Sequence, residues 1–306
     1  MAKKVAVLKG GLSVEREVSL DSGAACADAL RQAGYDVVEI DVGRDISQKL
    51  TDIKPDVVFN ALHGRYGEDG IIQGLLEILE IPYTHSGVLS SALAMDKHQS
   101  KILFKANGIP VADHIIATRG EIASKHIMKP PYVIKPVAEG SSVGIFLVKS
   151  EADLPIQEIL SAEWRGGEEL MVERFIAGRE LTCAVMGNVA LGVIEITTDL
   201  HFYNYEAKYE ENGSKHLLPA PVSQKIYEKI QQLSLKAHEA LGCKGVTRAD
   251  FRFHDVGNDY GELVCLEINT QPGMTKTSLV PEIAAHCGHD FVELVSWIVE
   301  DASCNR

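Results

Sequence analysis

Two short segments place polar and charged residues inside apolar runs. "VTRADFRF" (246–253) and "ELVCLEINT" (262–270) both read as β-strands, and residues two apart on a strand share a face. Arg248 and Asp250 therefore point one way, as do Glu267 and Asn269. Burying such charges unpaired is costly. Asp, Glu and Asn oxygens are, however, hard ligands of the kind that hold Mg²⁺ on a nucleotide's phosphates. One such strand alone reads as a solvated face; two with matching ligand types point to a metal–phosphate site.

Other segments carry complementary chemistry. In "VIKPVAEGSSVGI" Lys135 ends a strand, Gly140 and Gly144 bracket Ser141 and Ser142, and a second strand follows. Successive N–H groups in such a hairpin can form an anion-binding concavity, or the Gly and Ser residues can simply serve a tight turn. It is not a Walker motif, because a strand stands where a helix should. In "EINTQPGMTKTSLVPE" Ser278 precedes a helical run beginning at Leu279, which makes a carboxylate seat or an ordinary helix cap. "YEAKY" sets Lys208 and Tyr209 within a long irregular stretch that reads as a lid. Taken alone, Lys97 in "MDKHQSK" is one more solvated helix lysine. Near the N-terminus, "VAVLKGGLSVEREVSL" has a strand, the pair Gly10–Gly11 and a helix, but lacks Gly-x-Gly-x-x-Gly. Glu15 and Glu17 in its first helical turn would repel a phosphate. No Ser-His-Asp or Cys-His arrangement can be argued, and of 11 histidines only His63, at a strand's carboxyl end, is well positioned.

The elements that must position these groups fall into a recognisable order. Strands at 5–8, 36–40 and 56–62 alternate with helices such as "IIQGLLEILE", in which Ile71, Ile72, Leu75, Leu76 and Leu79 share a face. That alternation predicts a parallel sheet, with ligands bound beyond the strands' carboxyl ends. After the helix "MDKHQSKILFKANG", stopped by Gly108 and Pro110, a small α+β stretch follows. Strands at 170–175, 180–186 and 189–196 and a helix at 223–241 come next. The chain has 306 residues, 45% hydrophobic and 24% charged, enough for about two domains. A net charge of −13 without a basic cluster speaks against nucleic-acid or anionic-membrane partners. Six scattered cysteines (26, 183, 243, 265, 287, 304) read as small apolar fillers in a reducing compartment. With no apolar run of membrane-spanning length, a cytoplasmic protein is expected.

Taken together, the segments "GGLSVEREVSLDSG", "ALHGRYGEDGIIQGLLEILEIPYTHSGVLSSALAMDK", "PYVIKPVAEGSSVG", "YEAKY", "GCKGVTRADF" and "LEINTQPGMTKTSLVP" resemble the D-alanine–D-alanine ligase family of the ATP-grasp superfamily. They cover nearly the whole chain. The resemblance implies a three-domain α/β (α+β) ATP-grasp enzyme. Its parts are an N-terminal Rossmann-like parallel-sheet domain (1–95), a small central α+β domain (96–178) and a C-terminal α+β domain (179–306) with a lid at about 198–218. It implies phosphorylation of one D-alanine, then attack by the amine of a second, giving D-alanyl-D-alanine, ADP and phosphate for peptidoglycan synthesis. ATP is then held by Lys97, Lys135 and Ser142, by Glu173, Arg174, Phe175 and Ile176 at adenine, by Glu180 at ribose, and by Lys208 from the lid. Asp250, Glu267 and Asn269 bind two Mg²⁺, with Mn²⁺ able to substitute. Glu15 and His63 serve the first D-alanine, with a hydrogen-bond chain from Glu15 through Ser141 to Tyr209. Arg248 and Gly273 serve the oxyanion, and Ser278 and Leu279 the second substrate's carboxylate. A homodimer is the family's common state.

Three positions depart from the family's pattern: Tyr66 and His85 stand where smaller residues are expected, and Asn204 where Asp is frequent. A D-alanine–D-lactate ligase of the same fold is the nearest rival reading, and "EAKY" with Tyr209, rather than a lid histidine, argues for the dipeptide. His216 lies further along the chain. A non-catalytic module would lack metal ligands or phosphate lysines, and both sets are present.

Overall fold

The chain is described by a computed structural model over residues 2–140, 144–153, 156–197, 214–255 and 261–306. Three sheets organise it. The first is parallel, in the order β2–β1–β3, from β1 (Lys4–Lys9), β2 (Asp36–Asp41) and β3 (Val57–Asn60). Its helices are α1 (Arg16–Gln32), α2 (Ile46–Ile53) and α3 (Ile71–Ile78). Continuous apolar β1 and β3 are buried along most of their length, as a sheet covered on both faces requires. The turns after β1 and β3, bearing Gly10–Gly11 and His63, leave from the carboxyl ends.

Helices α4 (Val88–Met95) and α5 (Lys97–Ala106) follow, separated by Asp96, whose side chain accepts from the His98 and Gln99 N–H groups and caps α5. The second sheet is antiparallel, β4–β7–β5–β6, from β4 (His114–Thr118), β5 (Tyr132–Pro136), β6 (Phe146–Val148) and β7 (Glu169–Arg174), with α6 (Arg119–Ser124) beside it. The third is β10–β9–β8–β11–β12, from β8 (Arg179–Met186), β9 (Val189–Thr197), β10 (Lys215–Leu217), β11 (Val246–His254) and β12 (Glu262–Asn269). Helices α7 (Gln224–Ala240), α8 (Leu279–His286) and α9 (Phe291–Glu300) complete the chain.

The strands and helices expected from periodicity form close to their expected ends. One face differs: on α3, Ile72, Gln73 and Leu76 are buried while Ile71 is 54% exposed. Glu15 is the residue preceding α1 rather than part of its first turn, where only Glu17 lies. Of the cysteines expected as core fillers, Cys26, Cys183, Cys243 and Cys265 are buried, whereas Cys287 is exposed and Cys304 half-buried. Among the described residues no helix is long and apolar enough to cross a membrane.

One core spans the first and third sheets. Val5, Val7, Leu30 and Phe59 pack with Met186 and Ile194, and with Ile283 of α8 and Ile298 of α9. Because α9 packs on α1 and β3 while α8 packs on β8 and β9 in the same core, the loop before α8 is fixed against the turns after β1 and β3. That placement builds the cleft.

Tyr66 and His85 adopt φ of 71° and 66°, the left-handed region that bulky residues enter at a cost. The backbone there, more than the volume available, explains why smaller residues suit these positions. Burial pushes the His85 imidazole down to about 3, and that of His238 to about 4. Both stay neutral in the folded state, while the unfolded chain's histidines protonate near 6.5. Folding is therefore opposed increasingly as pH falls below about 6.5. We predict a melting temperature that declines between pH 7 and 5, and a shallower decline in His85→Gly, which removes one titrating group. Equal slopes in thermal scans of the two proteins would exclude His85 as a source.

Candidate active site

Asp250 of β11 and Glu267 of β12 stand directly opposite each other in register, as do Arg248 and Asn269. Two like charges so placed repel. Each is matched by a cation. Arg248 donates from Nε to Asp250 Oδ1 at 2.9 Å and from Nη2 to Oδ2 at 2.8 Å, and Thr182 Oγ1 also donates to Oδ1. Lys97, the first residue of α5, lies 3.1 Å from Glu267 Oε2 and donates to the Glu139 carbonyl at 2.7 Å. Two carboxylates and the Asn269 amide oxygen thus form a hard-oxygen donor set suited to Mg²⁺ or Mn²⁺. The Asn269 oxygen also accepts from the Gln271 N–H at 2.8 Å, which sets its direction.

Above this row lies a cleft lined by Glu15, His63, Lys97, Arg248, Glu267, Asn269, Gly273, Ser278 and Leu279. Residues from 15 to 279 converge there because of the shared core. Ser22 of α1 reinforces the convergence: its hydroxyl meets His63 Nε2 at 3.1 Å and accepts from the Met274 N–H at 3.2 Å. The Asn60 side chain donates to that of Gln271, which in turn donates to the Asn60 carbonyl, tying the loop after β12 to the end of β3. His63 Nδ1 faces Glu68 Oε1 at 3.3 Å. Burial pushes the Glu68 carboxyl up, and His63 pulls it back. Glu15 is 6% exposed and approaches Gly64 and Gly140 closely enough that a Cβ on either would crowd its carboxylate. Glu139 is likewise pushed up, first by burial and then by the Glu15 charge. The cleft wall near Glu15 is therefore acidic and suits a cation.

Ser278 precedes α8 with extended backbone, yet its hydroxyl makes no capping bond to the helix. It instead accepts from the Thr275 N–H at 2.9 Å and meets Thr275 Oγ1 at 2.8 Å. The N-terminal amides of α8 thus open towards the cleft without a side-chain cap.

The second group of predicted residues lies on and after β7. Lys135 Nζ donates to Glu173 Oε2 at 2.7 Å, and Glu173 Oε1 lies 2.6 Å from Lys101 Nζ. Burial works against the Glu173 charge, yet the two ammonium groups hold its carboxyl well below the usual carboxylate range. Arg174 pairs with Glu262 at the surface. The carbonyls of Ile176 and Gly178 accept from Arg252 at 3.1 and 2.8 Å, its Nη1 lies 3.3 Å from Glu180 Oε2, and its guanidinium stacks 5.6 Å from the Phe175 ring centre. One arginine, two residues beyond Asp250, thereby shapes the whole 175–180 segment. Ser141, Ser142, Lys208, Tyr209 and Asn204 lie outside the described residues. His216 sits on β10, with Nδ1 2.7 Å from Glu282, and does not line the cleft.

Sequence reasoning missed Glu68, Glu139, Lys101 and Arg252. Glu68 looked like turn composition in "GEDG", and Lys101 like another solvated lysine. Only an acid-to-base census of the interior would have singled them out.

The comparisons with known proteins agree with this geometry. The family described as D-ala D-ala ligase C-terminus matches residues 103–300, and D-ala D-ala ligase N-terminus matches residues 44–86. The chain is 60% identical over 305 residues to a D-alanine–D-alanine ligase of Parvibaculum lavamentivorans, covering 100% of this chain and 99% of the relative. It is 62% identical over 306 residues to one of Rhizobium meliloti, with the same coverage. Among solved structures it is similar to the D-alanine–D-alanine ligase of Bacillus anthracis complexed with ATP. There the TM-score is 0.81 at 31% identity, over 98% of this chain and 97% of that one.

A direct test of the cleft's acidic wall is Gly64→Ala. Position 64 has a φ of 68°, and the added methyl would meet the Glu15 carboxylate. Urea unfolding should show a loss of about 1–3 kcal/mol. A change near zero would mean that the backbone at 64 leaves the left-handed region and Glu15 moves aside as well.

Proposed function

This chain belongs to the D-alanine–D-alanine ligase family and joins two D-alanines to D-alanyl-D-alanine with conversion of ATP to ADP and phosphate, and we propose that the residues of the cleft divide that reaction as follows. The observation that carries the reading is the opposed pair Asp250–Glu267, of which Glu267, with Lys97 beside it, lines a cleft whose wall near Glu15 is acidic.

ATP lies along the second group of residues. Adenine is held by Glu173, Arg174, Phe175 and Ile176, ribose by Glu180, and the phosphates by Lys97, Lys135, Ser142 and Lys208. Asp250, Glu267 and Asn269 hold two Mg²⁺, replaceable by Mn²⁺; bound there, the ions neutralise phosphate charge and orient the γ-phosphoryl group. The first D-alanine places its ammonium at Glu15, with His63 beside it. Glu15 continues through Ser141 to Tyr209 in a hydrogen-bond chain. The D-alanine carboxylate attacks the γ-phosphorus, and ADP leaves from a D-alanyl phosphate. A carboxylate is a poor acyl donor, so this activation is the chemical reason for ATP. No protein nucleophile is needed, since phosphoryl transfer depends on position and charge.

The second D-alanine seats its carboxylate at the Ser278 hydroxyl and the Leu279 N–H, at the open end of α8. Its amine attacks the acyl carbon, and the tetrahedral oxyanion forms between Arg248 and the Gly273 N–H before phosphate departs. One such donor is worth about 3 kcal/mol, or a hundredfold or more in rate. The product is a peptidoglycan precursor made in the cytoplasm. The domain division at 95 and 178, with a lid at about 198–218, belongs to the same reading. So does the homodimer, which exposed Ile71, Ile78, Val88 and Leu89 on α3 and α4 support.

ADP release that requires both D-alanine and Mg²⁺ is the decisive measurement, and its absence in folded protein would overturn the reaction. Glu267→Gln should abolish turnover. Glu15→Gln should weaken D-alanine binding at the first site far more than ATP binding, and equal losses would move Glu15 to the nucleotide. Ser278→Ala should raise KM for the acceptor D-alanine with little change in kcat; an unaltered KM would count against that seat.

A further inference from the structure

Behind the nucleotide segment lies a charged side chain that the reaction as assigned leaves unused. Lys101, one turn after Lys97 on α5, has no exposed surface. Its Nζ lies 2.6 Å from Glu173 Oε1 and donates to the Cys265 carbonyl at 3.3 Å. The other Glu173 oxygen accepts from Lys135 at 2.7 Å. All three side chains are buried. His114, paired with Glu173 in the β4–β7 register, meets His98 at 3.0 Å. Burial and the nearby Lys101 push His114 down, so it adds no charge. Burial also draws Lys101 itself down, and the Glu173 carboxylate resists that change.

The cluster therefore holds two ammonium groups on one carboxylate. A single lysine would have matched Glu173. The second has a consequence for ligand exchange. If Lys135 moved to a phosphate and left Glu173 alone in the interior, an unpaired buried anion would remain, which is strongly disfavoured. With Lys101 in place the carboxylate keeps a partner throughout.

We propose that Lys101 is a positioning residue for nucleotide binding: by keeping Glu173 paired, it allows Lys135 to exchange from that carboxylate to the phosphates of ATP. Lys101 touches no reacting atom and acts only through Glu173. The proposal rests on the assignment of Lys135 to the phosphates. A purely structural pin between α5, β7 and β12 would behave differently, lowering stability without a selective effect on the nucleotide.

The test is a double-mutant cycle on Lys101→Met and Glu173→Gln, reading KM for ATP and for D-alanine in each protein. Lys101→Met should raise KM for ATP about tenfold and leave KM for D-alanine within about twofold. In the Glu173→Gln background no buried anion remains, so adding Lys101→Met should change KM for ATP by less than about twofold. Lost stability with unchanged KM for ATP, a parallel rise in both KM values, or a full effect persisting in the Glu173→Gln background would each overturn the proposal. Should Lys101→Met alone fail to fold, Glu173→Gln against the neutral double variant still discriminates: equal KM for ATP supports the proposal and a further rise overturns it. Lys135→Ala separates the premise. If that variant leaves KM for ATP unchanged, the phosphate assignment fails; if it raises KM while Lys101→Met does not, only the role of Lys101 fails.

Discussion

The opposition of Asp250 and Glu267 across two hydrogen-bonded strands is the constraint around which the rest of the site is arranged. Two carboxylates cannot face each other at that spacing without compensation. Asp250 takes its cation from its own strand, through the two-point contact with Arg248. Glu267 takes its cation from α5, through Lys97, which also reaches the carbonyl of Glu139 in the loop after β5. One electrostatic imbalance thereby draws the third sheet, α5 and the β5–β6 loop to a common point.

The two halves of the cleft are held by different physics. On the side of Glu15 and Ser278, apolar packing decides the geometry: α8 and α9 share a core with β1, β3 and α1, and Ser22 and Gln271 add hydrogen bonds between the same parts. The residues assigned to substrate therefore sit on a rigid frame, and Ser278 keeps its hydroxyl off the helix end. Around β5 and β7, buried charge decides it. Arg252 fastens the 175–180 segment, and Lys101 and Lys135 share Glu173. Breaking a buried ion pair by removing one partner costs about 3–5 kcal/mol. Such a cluster fixes position as firmly as packing.

Much of this was legible in the residues. Period-two and period-3.6 patterning marked the strands and helices, because burial of one face imposes those repeats. The motif pairs Arg248–Asp250 and Glu267–Asn269 stood out by interrupting apolar runs. Failures came where local composition carried no burial signal. Ile71 matched the helical face and is exposed, Gln73 did not and is buried, and nothing in "KHQSKILFK" tells buried Lys101 from exposed Lys105.

Residue identity and short-range spacing were enough to specify the element types, the donor chemistry and the family, since each depends on nothing more distant. Which acid meets which base followed from the assembled fold: Asp250 faces Glu267, Arg248 answers Asp250 and Lys97 answers Glu267, and Lys101 and Lys135 share one carboxylate. Most of those pairings join residues distant along the chain or on different strands, and strand register and core packing, which no local pattern encodes, bring them within ion-pair distance.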